Sequence, residues 1–453
     1  MHRQPTGFRQ APRSLLEPPN WVQARNKGIL LPEMATLLKY LSGTQIRPRY
    51  HAACFADLPE TIQYWLTGEG RPALSPEILD GLPRRYDTII CFLIDAFGWR
   101  FVDAFLERYR FLRTLGHDGR LSKITSQFPS TTAAHVTCIH TGLPVAQSGV
   151  YEWQYYEPLV DDVILPLLFS FAGTTRQNTL RSTGIDPETL YPERTLYQAL
   201  ETRGVASRVF MPREVAQSTY SNAVLAGAEV KPYRTWSRAL DNLALLLSRQ
   251  TSPTYYFLYH EKIDSICHLH GPNSPQLDAE IDVFLRTMER MTLKKCGAKG
   301  NETLILLTAD HGQIEVDPQK TIYLNRETRF NGLQRYLRTN RAGSILVPGG
   351  SPRDVFLSVY PEYLIEAQAF LNERLEGKAE VYQTQALIEQ GLFGPSQPTA
   401  AFLSRVGNLV ILPHPGETVW WHEEGRFEMK FRGHHGGLTP EEMEIPLFLY
   451  PIF

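Results

Sequence analysis

The chain has 453 residues, 43% of them apolar and 21% charged, with a formal net charge of -2 at pH 7. Because one hydrophobic core stops growing below this length, the composition predicts a large globular domain with insertions and excludes a single small domain. The near-neutral charge and the absence of a long basic run argue against polymeric nucleic acid as a partner.

Residues 1–80 start rich in Pro and Arg and carry a short helical pattern at Leu31–Leu41, so we expect an N-terminal extension packed on the main domain. The sequence contains neither a signal-like apolar region nor an apolar run of about 18 residues, which predicts a cytoplasmic protein with no membrane partner. Five scattered cysteines without C-x-x-C spacing indicate reduced core thiols and neither disulfides nor a thiolate zinc site. They are Cys54, Cys91, Cys138, Cys267 and Cys296.

Residues 81–314 have the pattern of the first part of an α/β core. Unbroken apolar strands are predicted at Thr88–Ile94, Tyr255–Tyr259 and Thr303–Thr308. Helices are predicted between them, at Thr195–Arg203, Trp236–Arg249 and Gln276–Met291. This alternation predicts a doubly wound, mostly parallel sheet flanked by helices, with ligands bound beyond the carboxyl ends of the strands.

Residues 315–400 have a different pattern of predicted strands and helices, which predicts a small α+β insertion or cap. Its predicted elements are a strand at Asp354–Val359, a helix at Glu362–Leu375 and a strand at Glu380–Thr384. Residues 401–453 are expected to complete the catalytic core, beginning with a strand at Leu409–Leu412.

Acidic residues follow the three apolar strands of the core. Asp95 follows the first strand, Asp264 comes shortly after the second, and Asp310-His311-Gly312 follows the third. Asp264 and His268 stand at i and i+4, so both face the same side of a helical turn. A single Asp after a strand is ordinarily a helix N-cap, but the set of oxygen and imidazole ligands favours a divalent metal site.

Two further segments carry candidate chemistry. Gly433-His434-His435-Gly436-Gly437 places two imidazoles among glycines, either as a metal ligand or as a turn with solvated histidines. Phe128-Pro129-Ser130-Thr131-Thr132-Ala133-Ala134-His135 precedes a helical run that ends at Thr141-Gly142. Hydroxyls at a helix start are N-caps by default, yet the same geometry binds anions, and a threonine on a metal would attack phosphorus.

An aromatic cluster follows this helical run and is either a stacking wall for a flat leaving group or part of the core. It consists of Tyr151, Trp153, Tyr155 and Tyr156. We expect Tyr151, Trp153 and His434 to contribute to the substrate pocket.

The order of these motifs resembles the type I phosphodiesterase and nucleotide pyrophosphatase branch of the alkaline phosphatase superfamily. The pattern is Asp, then Phe-Pro-Ser-Thr-Thr, Asp-x-x-x-His, Asp-His-Gly and Gly-x-His-Gly, within residues 85–453. The resemblance implies two divalent ions, zinc or else manganese, held by two sets of ligands. One set is Asp95, Thr132, Asp310 and His311, and the other is Asp264, His268 and His435.

The resemblance also selects the nucleophile, because the family's threonine lies nine residues before the Thr of a Thr-Gly pair. Thr132 and Thr141 have this spacing. At His135 the family has an Asn that contacts phosphate, so a phosphate contact is expected of this histidine.

The implied activity is a metal-dependent phosphodiesterase or nucleotide pyrophosphatase that forms a covalent phospho-threonine and acts on a small phosphate ester or nucleotide. The alternatives are a metal-dependent phosphomutase, a phosphonate or phosphomonoester hydrolase, and a non-catalytic protein that binds phosphate ligands.

Overall fold

The structure is a computed structural model that describes residues 45–291 and 302–452. The helix predicted at Leu31–Leu41 and the thiol of Cys296 lie outside these ranges. The other four cysteines are free and buried, as expected of core thiols.

The centre of the molecule is a seven-stranded sheet. In spatial order its strands are Arg120–Thr125, Glu444–Ile452, Thr303–Thr308, Thr88–Ile94, Thr254–His260, Ala206–Pro212 and Glu229–Tyr233. Glu444–Ile452 runs antiparallel to both of its neighbours, and the four other adjacent pairs are parallel. The predicted doubly wound, mostly parallel α/β fold is confirmed.

The three predicted central strands are buried at every position because helices cover both faces of the sheet. The three helices predicted within residues 81–314 also form. Thr195 caps the helix Leu196–Glu201 in a capping box with Gln198, and Pro275–Met291 buries its apolar stripe in the main core. The α-helices of the described residues are Leu58–Thr67, Pro76–Leu79, Trp99–Phe105, Arg110–Arg113, Thr132–Thr141, Val145–Ser148, Leu196–Glu201, Thr219–Val224, Trp236–Ser248, Lys262–His270, Pro275–Met291, Leu364–Arg374, Thr384–Glu389, Ala400–Arg405 and Pro440–Met443.

A second, antiparallel sheet lies in the region predicted as an insertion. Its strands in spatial order are Gly349–Ser351, Asp354–Leu357, Leu409–Pro413 and Ala379–Gln383. The sequence pattern predicts the strand that starts at Leu409 in the main domain, but the strand pairs within this second sheet. Its buried apolar side chains fit either sheet, and hydropathy does not indicate which strands it will pair with. The domain division itself stays a prediction.

Smaller sheets complete the described part of the chain. Tyr155–Glu157, Asp162–Leu165 and Ser170–Phe171 form one, and two strand pairs join Ile314–Glu315 to Gly433–His434 and Ile322–Tyr323 to Val419–Trp420. Among the described residues, none of the helices combines the length and apolar character needed to cross a bilayer.

Candidate active site

Three adjacent strands of the main sheet bring the predicted acidic residues together. Asp95 follows Thr88–Ile94, and Asp310 comes two residues after Thr303–Thr308. Asp264 lies in the first turn of the helix Lys262–His270, which begins directly beyond Thr254–His260. Since the parallel strands end at the same edge, the carboxylates converge there.

The first candidate metal group consists of Asp95, Asp310 and His311, whose ligand atoms lie within 4.8 Å of one another. His311 Nε2 is 3.5 Å from Asp95 Oδ1 and 3.4 Å from Asp310 Oδ2. Asp310 Oδ1 accepts hydrogen bonds from the backbone amides of Ala96 and His311. Its Oδ2 is buried and meets no hydrogen-bond donor within residues 45–291 and 302–452. An oxygen oriented in this way fits a cation ligand, since a buried acceptor with no partner is otherwise costly.

The second group is formed by Asp264, His311 and His435. His268 Nε2 lies 3.4 Å from Asp264 Oδ1, and His435 Nε2 lies 3.9 Å from the same oxygen. The structure therefore brings together all six predicted carboxylate and imidazole ligands. His311 lies in both groups and its ring stacks on that of His435 with centroids 3.8 Å apart, so the two candidate sites adjoin.

The histidines are oriented by the backbone. The Nδ1 atom of His268 lies 2.8 Å from Gly433 O, and that of His435 lies 2.9 Å from Ser130 O. His311 Nδ1 lies 3.1 Å from the carbonyl oxygen of the next residue. A carbonyl only accepts, so each Nδ1 carries the proton and each Nε2 presents a lone pair to the site, as metal-binding imidazoles do.

The electrostatics of the site favour bound cations. Burial raises the pKa of Asp95 well above its ordinary value, and the charges of Asp310 and Asp264 raise it further. Burial, followed by neighbouring imidazoles, lowers the pKa of His311 and of His435. The clustered carboxylates repel one another's negative charge, while the buried imidazoles stay neutral and keep a free lone pair. A divalent ion would relieve the repulsion and bind both kinds of ligand.

Thr132 is the threonine that faces the ligands. It begins the helix Thr132–Thr141, with Thr131 as the N-cap. Its Oγ1 lies 3.1 Å from His311 Nε2 and 3.5 Å from Asp95 Oδ1. The Thr131 hydroxyl instead hydrogen bonds to Glu152. A phosphoryl group on Thr132 would lie at the positive end of the helix dipole.

Two residues that the sequence analysis did not identify support the ligands. The Tyr259 hydroxyl donates to Asp95 Oδ2, and Gln313 Nε2 donates to Asp264 Oδ1 at 2.5 Å. Tyr259 closely precedes Asp264 in the chain, and Gln313 closely follows His311. This proximity is the only sequence signal for either residue.

Two glycines permit close approach around the site. A Cβ on Gly312 would lie 2.1 Å from Glu441 O. Gly436 has φ +120°, and a Cβ there would lie 2.4 Å from Asp354 Oδ1. A side chain at either glycine would therefore overlap atoms packed beside His311 and His435: the Glu441 backbone at Gly312 and the Asp354 carboxylate at Gly436.

The geometry speaks against the phosphate contact expected of His135. Its ring is fully buried, with Nδ1 2.7 Å from Thr131 O and Nε2 accepting from the Gln127 amide at 3.0 Å. Burial lowers its pKa to about 4. Both ring nitrogens are occupied by hydrogen bonds. This neutral imidazole therefore stabilises the loop before Thr132 and has no free proton to donate to a phosphate.

The aromatic cluster is mostly core. Tyr151 is 1% exposed and stacks on Tyr155, which removes the substrate contact expected of it. Trp153 is 45% exposed. His434 is buried, with its ring centroid 5.3 Å from that of His268. Phe431, which no sequence motif indicates, is 40% exposed, and its ring packs against that of His268 with centroids 4.8 Å apart.

Comparison with known proteins agrees with this architecture. Murine ectonucleotide pyrophosphatase/phosphodiesterase 5 superposes with a TM-score of 0.58 at 16% identity, covering 79% of this chain and 87% of that one. An inactive threonine-to-alanine variant of the murine protein in complex with AMP gives 0.56 at 16% identity and the same coverage. The human protein gives 0.54 at 13%, covering 80% and 87%. No curated protein sequence matches the chain significantly.

The sequence profile of one protein family matches residues 89–438, which contain every candidate ligand. This range covers more than half of the chain and confirms the family resemblance inferred from the motifs. The chain belongs to the type I phosphodiesterase/nucleotide pyrophosphatase family and is a hydrolase of phosphoric ester bonds.

Proposed function

We propose that the protein cleaves a phosphodiester or pyrophosphate bond of a small nucleotide-like substrate, with Thr132 as nucleophile and two divalent ions, zinc or manganese, as cofactors. The observation that carries the proposal is the position of Thr132 Oγ1, 3.1 Å from His311 and 3.5 Å from Asp95 at the border of the two candidate metal groups.

The residues fit two metal ions in chemistry as well as in position. Carboxylate oxygen and imidazole nitrogen are ligands of zinc and manganese, and the unpartnered Oδ2 of Asp310 needs a cation or a proton. Asp95, Asp310, His311 and Thr132 would hold one ion. Asp264, His268 and His435 would hold the other.

Bound divalent ions would lower the pKa of the oxygens they contact and neutralise charge on the phosphoryl group. The chain's own residues set the direction of attack. The helix N-terminus orients Thr132 Oγ1 toward phosphorus, and in-line displacement then places the leaving oxygen on the far side, toward Asp264 and His268.

The covalent steps balance with one water per bond cleaved. The bond from Thr132 Oγ1 to phosphorus forms as the bond from phosphorus to the leaving oxygen breaks, and the hydroxyl proton reaches the leaving oxygen through solvent. Water then attacks the same phosphorus and releases Thr132 with its proton restored.

The substrate class rests on the relative that was solved in complex with AMP and on one exposed aromatic side chain beside a candidate ligand. Phe431 packs on His268, on the leaving-group side, and is sufficiently exposed to stack with a flat group. We propose a nucleotide or aryl phosphate ester on this basis.

The test is Thr132→Ala, with Thr141→Ala at the other end of the same helix as control. The first variant should lose several orders of magnitude in kcat on an aryl phosphodiester, and the control should keep nearly all of it. Mass spectrometry of wild-type enzyme quenched during turnover should find the adduct on Thr132. An adduct on Thr131, on Ser130 or on a histidine would contradict the assigned nucleophile.

A further inference from the structure

Two carboxylic acids lie side by side behind the nucleophile segment. Glu152, shortly after the helix that begins at Thr132, and Asp354, at the start of a strand of the small sheet, are both fully buried. Their carboxyl groups lie within hydrogen-bonding range of each other. Yet Glu152 Oε1 and Asp354 Oδ2 meet no hydrogen-bond donor among the described residues.

The surroundings do not neutralise two negative charges. Besides Glu152, the negative charge of Glu442 also acts on Asp354. The Arg353 guanidinium donates two hydrogen bonds to the Glu442 carboxylate, at 3.0 and 2.9 Å. The phenol of Tyr151 also faces the pair. Burial raises the pKa of Glu152 to about 7, and burial together with the Glu152 charge raises the pKa of Asp354 well above its ordinary value. Two adjacent buried carboxyl groups of this kind hold one proton between them.

The pair touches both halves of the candidate site. On one side Glu152 hydrogen bonds to the Thr131 hydroxyl, next to the nucleophile. On the other side Ser351 Oγ lies 2.5 Å from Asp354 Oδ1 and 3.1 Å from His435 O. The backbone of Gly436 approaches Asp354 so closely that a Cβ there would overlap its carboxylate.

We propose that Glu152 and Asp354 share one proton as a carboxyl–carboxylate pair, and that this pair positions Thr132 through Thr131 and His435 through Ser351. The positioning role rests on the function proposed above for Thr132 and His435. Two unprotonated carboxylates would place two negative charges near the anionic substrate, and the shared proton reduces this to one. The proton also supplies the hydrogen-bond donor that Glu152 Oε1 and Asp354 Oδ2 lack among the described residues. Loss of that proton at alkaline pH would drive the two carboxylates apart and displace both segments.

The experiment compares Glu152→Gln with Glu152→Ala. The amide of the Gln variant donates to Asp354 as the acid does and keeps one negative charge, so kcat should stay within about threefold of wild type. The Ala variant leaves Asp354 without its partner, and kcat should fall about 10- to 100-fold while KM changes little. The pH profile is the decisive kinetic readout. The wild type should lose kcat as pH rises through the titration of the pair, and the Gln variant should lack this alkaline limb.

Infrared spectroscopy measures the proton itself. The wild type should show the carbonyl band of a buried protonated carboxylic acid, and both Glu152→Gln and Asp354→Asn should lack it. This result does not depend on turnover, so a failure of the Thr132 assignment would leave it intact. It also decides the question if the Ala variant does not fold.

Three outcomes would overturn the proposal. One is the absence of the band in folded wild-type protein. Another is a Glu152→Gln variant that folds and retains as little activity as the Ala variant. The third is a metal ion beyond two equivalents that Glu152→Gln releases, because the pair would then be a cation site.

Discussion

Tyr259 offers the sharpest test of how the site is supported. Its hydroxyl donates to Asp95 Oδ2, with Tyr259 8% and Asp95 2% exposed. A buried hydrogen bond to a charged group contributes about 1.5–3 kcal/mol, or about 10- to 150-fold in a binding constant. We therefore expect Tyr259→Phe to weaken metal binding about 10- to 100-fold, because the Asp95 carboxylate loses the group that orients it.

The measurement is competition for zinc against a calibrated chelator, followed at both metal equivalents, with thermal unfolding to verify that the fold is intact. Tyr255→Phe is the matched control, since Tyr255 is buried in the same strand but its hydroxyl contacts the Cys91 sulfur. We expect Tyr259→Phe to weaken only one of the two metal equivalents, the one that Asp95 would hold. Unchanged zinc affinity in this variant, or an equal loss in the control, would refute the assignment of Tyr259 as a support of Asp95.

Three other outcomes are expected. Cys267→Ser should keep the full metal content, because this buried thiol belongs to neither ligand group, whereas His268→Ala should lose metal. Elemental analysis of both variants after dialysis measures the difference. Phe431→Ala should raise KM about 2- to 10-fold for an aryl ester and leave a methyl ester unaffected, which steady-state kinetics can measure. Burial lowers the pKa of His140 to about 3, below its value in the unfolded chain. The stability that neutral His140 contributes is therefore complete above about pH 6.5 and is lost as the pH falls toward 3. By pH 5 this loss is about 2 kcal/mol, and urea unfolding of His140→Asn should show a correspondingly flatter acid limb.

The convergence of the candidate ligands could be predicted from the sequence because each residue is tied to a local pattern. Asp95 and Asp310 end apolar strands, and Asp264 and His268 share one helical face, so topology alone brings them to one edge. The fold class followed from the same strands, which are apolar on both faces and alternate with amphipathic helices.

The errors have a common physical origin in contacts between distant segments. His135 has the right position for a phosphate contact, but a backbone amide and a carbonyl occupy its nitrogens. Tyr151 is aromatic and near the nucleophile in sequence, yet it packs against Phe356 of the small sheet. The contact between Glu152 and Asp354 joins positions about 200 residues apart, and no local pattern indicates it.

The strand Glu444–Ile452 follows all other described strands in the chain but occupies an interior position, between Arg120–Thr125 and Thr303–Thr308. During synthesis both of these strands leave the ribosome before Glu444–Ile452. Until that strand is synthesised, the backbone N–H and C=O groups along one edge of each have no strand partner. Such edges are templates for pairing with other chains. A nascent or truncated chain that lacks these nine residues should therefore aggregate or recruit chaperones, even though every candidate metal ligand has already been translated.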